Sequence, residues 1–174
     1  ANPDLVDQIN QESVTMFRRR RIPVWIGIIL PFGMFLMGPV SCGPPTGTFA
    51  DVLDVSTSGS QGAYSFAVTV SSPDTGCDEH ADRWEVLTTQ GQLLYRNTLS
   101  HSHIFEQPFT RNGGPVPVWS WQTVIVRAHM SNVGYGGAAM RGSVLAGFEL
   151  APDITEDFAP EVETQDPLPE TCHF

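Results

Sequence analysis

The chain has 174 residues, room for one ordinary domain and a membrane segment. It carries nine Arg, no Lys and nineteen acidic residues, a net charge of −10, and that balance excludes a nucleic-acid-binding surface, which needs clustered cations. The charge is uneven: residues 1–21 hold four Arg against Asp4, Asp7 and Glu12, whereas the chain after Val40 holds five Arg (Arg83, Arg96, Arg111, Arg127 and Arg141) against sixteen acidic residues.

Residues 1–17 read either as a short amphipathic helix or as a frayed tail. Leu5, Ile9, Val14, Met16 and Phe17 form a weak apolar stripe behind the cap-like Asn2-Pro3-Asp4. Such a helix lies on a membrane surface or on a neighbouring subunit. Four consecutive arginines, Arg18, Arg19, Arg20 and Arg21, then precede the apolar stretch IPVWIGIILPFGMFLMGPV at 22–40. A spanning helix needs about 20 apolar residues, and an arginine-rich flank stays on the cytoplasmic side. A transmembrane helix is therefore expected over 22–40, with residues 1–21 as a cytoplasmic segment. Trp25 suits an interfacial anchor. Pro31 kinks the helix, Pro39, Pro44 and Pro45 end it, and Gly27, Gly33 and Gly38 allow neighbouring helices to approach.

Two other routes give the same topology. One is a cleaved secretory signal with an arginine n-region. The other is a lipidated form: Cys42, after Pro39-Val40-Ser41, resembles a bacterial lipoprotein cleavage site, with Pro39 where such sites carry a large aliphatic residue. A retained anchor is the expectation. The main domain is then periplasmic or otherwise extracytoplasmic, on a bacterial inner membrane or its equivalent.

Residues 41–48 are rich in Gly and Pro and read as a linker. Residues 49–150 read as an exported antiparallel β-sandwich, Ig-like or a small barrel, because short strands recur at roughly ten-residue spacing with Ser/Gly/Pro turns between them. Asp51–Val55 supplies a first strand. Ala63–Val70 alternates cleanly, with Tyr64, Phe66, Val68 and Val70 on one face. Arg83–Thr89 meets Gln92–Leu99 across the turn pair Gln90-Gly91. Trp121–His129 is rich in β-branched residues, and Gly142–Leu150 supplies a last strand. Trp84 is the expected centre of the core. The glycine-rich passages Arg111–Pro115 and Gly134–Gly137 read as tight loops, since neither has phosphate-loop spacing.

Residues 151–174 hold four prolines, seven acidic residues and no Arg, an extended acidic composition that does not fold alone. Such a tail is either disordered or held against something by Phe158, Val162, Leu168 and Phe174. The chain has three cysteines, Cys42, Cys77 and Cys172. Outside the cytoplasm disulfides persist. With Cys42 at the membrane boundary, Cys77 and Cys172 are the natural pair, and their bond ties the tail back onto the domain.

The densest polar run is His101-Ser102-His103 followed by Glu106-Gln107. Alternation along a strand puts His101 and His103 on one face. With His129 from another strand and a carboxylate they form a candidate zinc or copper ligand set. Asp78-Glu79-His80 lies in a loop, and Arg111 is placed to pair with Glu106. A hydrolase needs Ser100, Ser102 or Ser131 against one of these His, and no G-x-S-x-G elbow is present. No CxxC, CxxCH, GxGxxG or EF-hand pattern occurs, so no cofactor is expected.

The architecture favours a non-enzymatic accessory subunit of a larger membrane complex, respiratory or photosynthetic for example. Its partners are integral membrane subunits and the lipid bilayer, with no nucleic acid, and its β domain caps the external face. The alternative is a free-standing, lipoprotein-like exported module that binds a metal or small ligand at His101, His103 and His129.

Overall fold

A computed structural model describes residues 47–173. The expected helix over 22–40, its anchors Arg18–Arg21 and Trp25, the 1–21 segment, Cys42 and Phe174 all lie outside the described residues. Among the described residues, no helix is long and apolar enough to cross a membrane.

Eight strands form the domain: β1 (Asp51–Ser60), β2 (Ala63–Ser71), β3 (Ala81–Thr88), β4 (Leu93–Thr98), β5 (Phe109–Val116), β6 (Val124–Met130), β7 (Met140–Ser143) and β8 (Gly147–Leu150). They make two antiparallel sheets, ordered β1-β2-β5 and β4-β3-β6-β7-β8, an arrangement consistent with a β-sandwich. The alternation in β2 sends Tyr64, Phe66, Val68 and Val70 into the core, all buried. Trp84 and Val86 of β3 and Val124, Val126, Ala128 and Met130 of β6 meet them from the larger sheet. Trp84 is fully buried at the centre, its ring 5.6 Å from that of Tyr95. Burying such a ring removes more apolar area from water than any other core residue does.

β3 departs from simple alternation, because seven of its eight residues are buried. Its second face carries Arg83, Glu85 and Leu87, and that of β6 carries Ile125, Arg127 and His129. This face is covered by the chain's own C-terminal segment. Leu87, Ile125, Ala139 and Val162 form a second small apolar cluster, with Leu93, Ile154, Phe158 and Ala159 packed on it. Val162 sits in a short 3-10 helix, Pro160–Thr164.

Beside that cluster lies a buried ion network. Glu85 is fully buried and accepts from Arg96 Nε at 2.7 Å, Arg127 Nε at 3.1 Å and the Tyr135 hydroxyl at 2.8 Å. Arg83 Nε lies 3.5 Å from the same carboxylate, and Arg127 stacks over the Tyr135 ring at 3.5 Å. One carboxylate cannot saturate three guanidiniums, so their remaining donors reach main-chain carbonyls of the tail. Arg96 donates to the carbonyls of Val162 (2.6 Å), Pro167 (3.0 Å) and Gln165. Arg127 donates to those of Phe158 and Ala159, and Arg83 to that of Glu163. A Cys77–Cys172 disulfide fastens the far end, and His173 N–H donates to Ser100 O at 2.8 Å. The tail is thus a strap on its own domain, anchored by Phe158 and Val162, while Leu168 is half exposed.

Several boundaries differ from the expectation. The passage Arg111–Pro115 is the heart of β5 rather than a loop. Its glycines serve a close approach: a Cβ at Gly113 would lie 2.7 Å from the Trp84 ring. Gly142–Leu150 is not one strand but the β7–β8 hairpin, with Gly147 at φ +81°. The strand expected from Trp121 starts at Val124. Trp119 and Trp121 instead stand outside, stacked at 6.3 Å and more than half exposed. β1 runs five residues beyond Val55, to Ser60.

Candidate functional site

The connection from β4 to β5 carries His101 and His103. It is a loop and not the expected strand, and other contacts bring the two rings together. Asp74, in the connection before β3, accepts the His103 N–H at 2.7 Å and the Ser102 hydroxyl at 3.3 Å through Oδ2. Its Oδ1 accepts the Ala81 N–H at 2.9 Å. Gln107 binds Ser72 twice, through the Ser72 N–H at 2.9 Å and the Ser72 hydroxyl at 3.0 Å. Glu106 N–H closes a turn onto His103 O at 3.2 Å.

The wrapped loop gathers His101, His103 and Glu106, with one ligand atom from each lying within 4.8 Å of the others. The His103 ring is 1 % exposed and stacks on Phe109 at 3.7 Å between ring centres. The His101 ring lies 4.5 Å away. Neither nitrogen of His103 has a hydrogen-bond partner. Nδ1 is 3.8 Å from Asp74 Oδ2 and Nε2 is 3.9 Å from Glu106 Oε1, both too long for a bond. Burial, reinforced by the Arg111 and His101 charges, pushes the His103 pKa down to about 4. Its ring is therefore neutral near pH 7 and offers a lone pair. The Arg111 guanidinium, bonded to Glu106 at 2.6 Å, holds that carboxyl below its ordinary range.

A buried polar atom without a partner costs about 1–3 kcal/mol. A metal ion on the lone-pair nitrogen of His103 would remove that cost for that one atom. Imidazole and carboxylate suit zinc and other borderline divalent ions, and three protein ligands leave a fourth position for water or a small ligand. Ligands at about 2.0–2.2 Å from one ion lie roughly 3–3.6 Å apart, so these three groups, within 4.8 Å of one another, would have to close in to hold an ion.

His129 stands in a different cluster. Its Nδ1 lies 2.7 Å from Asp82 Oδ1, its Nε2 lies 3.6 Å from Glu163 Oε1, and its ring meets Tyr135 edge-on at 4.6 Å. The grouping of His101, His103 and His129 is thus divided, with Glu106 as the carboxylate beside the first two. The serines follow the same division. Ser102 serves Asp74, and Ser131 lies 3.3 Å from His80 Nδ1 rather than on His101, His103 or His129. Asp74 and Asp82 had no sequence signal as site residues, since each meets its partner across 29 or 47 positions.

No protein-family model matches the chain, and no solved structure matches it. A Halomicrobium mukohataei protein named "Putative lipoprotein" is 40 % identical over 92 residues, which make up 52 % of this chain and 45 % of that protein. The match thus spans less than half of the relative's length.

Proposed function

We propose that this chain is a non-enzymatic, exported, membrane-tethered β module that binds one divalent transition metal through His101, His103 and Glu106. The observation that carries the reading is the His103 ring, which is buried, neutral and unpartnered beside a second imidazole and a carboxylate. The tether is the 22–40 segment or a lipid on Cys42. Arg18–Arg21 and the likeness to a protein named as a lipoprotein support an extracytoplasmic position at a membrane. The accessory-subunit reading has less support. Part of its motivation was the acidic tail as an extended end, and that tail is held on its own domain by three arginines and a disulfide.

The test is metal analysis of the full chain in detergent after zinc loading and desalting. One zinc should be lost from the total in His103→Ala, and Asp74→Asn, which weakens the hydrogen bonds that hold the loop at the His103 main chain and at Ser102, should weaken the same site. Equal zinc in the parent chain and in both His103→Ala and His101→Ala would sink the reading.

A further inference from the structure

We propose a second zinc site at the seam between β6 and the C-terminal strap, with His129 as the sheet ligand and Glu163 as the strap ligand. It is independent of the His101–His103 site and uses none of its residues.

The geometry begins at Asp82. An ionised carboxylate only accepts hydrogen bonds, so when the His129 ring is neutral the 2.7 Å contact places its one proton on Nδ1. Nε2 then presents its lone pair. A carboxylate behind a histidine in this way fixes the tautomer and orients the ring for a metal. His129 is 4 % exposed, and Nε2 is buried without a hydrogen-bond partner. His129 lines an open cleft of about 380 Å³, whose walls also include Ser131, Gly134, Tyr135, Glu156 and Glu163.

The Nε2–Glu163 Oε1 distance is 3.6 Å. That is too long for a hydrogen bond, but it is about the separation of two ligands on one ion. The main chain of Glu163 is fixed, since its carbonyl accepts from Arg83. Its side chain is 54 % exposed and free to turn onto a metal. Glu156 adds a second strap carboxylate to the cleft wall. Gly134 leaves the approach clear, because even a Cβ there would sit 3.9 Å from Nε2. The nearby cations do not oppose an ion. Arg83 is paired with Asp82 and Glu85, and Arg127 with Glu85. One imidazole with carboxylates and water selects a borderline ion such as zinc over calcium or magnesium, which prefer all-oxygen sets.

The experiment uses the full chain carrying His103→Ala, which removes the first site. Zinc titration by calorimetry should find one remaining equivalent, and cobalt(II) in its place should show a ligand-field band. Glu163→Gln in the same background should weaken zinc at least tenfold with an unchanged circular dichroism spectrum. His129→Ala should abolish it. Because His129→Ala removes a buried ring, Glu163→Gln is the deciding variant. Unchanged zinc affinity in Glu163→Gln overturns the proposal, as does a His103→Ala chain that binds no zinc. If the parent chain binds a single zinc that survives His103→Ala and is lost in His129→Ala, this site stands and the His101–His103 reading falls. The reverse pattern removes this site alone.

Discussion

His103 is a residue whose environment costs the fold stability. Its ring is fully packed against Phe109, yet both nitrogens lack partners. Its pKa falls from an ordinary 6.5 to about 4 on folding, chiefly through burial. The unfolded chain therefore binds more protons between these values. The neutral-ring stability is fully present above about pH 6.5 and is lost as pH drops towards 4, by on the order of 3 kcal/mol at most. His103→Leu should remove both the unpaired nitrogens and this pH dependence. The metal-free variant should unfold at the same or higher urea concentration than the metal-free parent at pH 5, and on the proposed function it should no longer take up zinc at this site. A variant that is strongly destabilised at pH 5 would show that the imidazole is a structural group. His101 and His103 were legible as a candidate pair because they form the densest polar run in the chain. Asp74 was not, because its role depends on a turn far away in sequence. The separation of His129 was not legible either, since strand spacing gives a side chain's face but not its neighbours across the sheet.

Among the elements, β2, β3 and β4 were legible because period-two patterns and a Gln90-Gly91 turn leave little choice of register. β5 was not. Its Asn112-Gly113-Gly114-Pro115 core reads as a turn, and only packing under Trp84 explains strand glycines there. The second face of β3 was hidden for another reason. Arg83 and Glu85 at alternate positions look like a solvated face, yet both are buried beneath the strap. That strap has two fasteners of different kinds. The Cys77–Cys172 bond closes a separation of 95 residues, and its removal should cost about 2–5 kcal/mol, mostly through the unfolded state. The arginine contacts act upstream of it, at residues 158–167. Cys172→Ser should therefore lower the melting temperature and admit carboxypeptidase only to the residues beyond Pro167. Trimming through Val162 would mean that the disulfide, and not the arginines, holds the strap.

At the scale of the whole molecule, every arginine among the described residues is engaged with a carboxylate. Arg83, Arg96 and Arg127 are buried around Glu85, Arg111 is on Glu106, and Arg141 is on Asp153 at 2.5 Å. The chain after Val40 has sixteen acidic residues against these five, so its solvent-facing charge is almost wholly negative. Self-repulsion of that kind opposes the compact state and is screened by salt. Thermal unfolding should shift upward by several degrees between 0.05 and 1 M sodium chloride, with most of the gain at the low end. A fall over that range would mean that the exposed pairs Arg111–Glu106 and Arg141–Asp153 outweigh the repulsion.

Arg96, Arg127 and Arg83 close on the strap through its peptide oxygens. A peptide oxygen is the same atom whatever residue bears it. The clasp therefore recognises a path through space and is blind to spelling. Drift in the outward-facing letters of this ribbon, Glu161 or Thr164 for instance, leaves the fastening intact, provided Val162 still fills its slot and the backbone keeps its course.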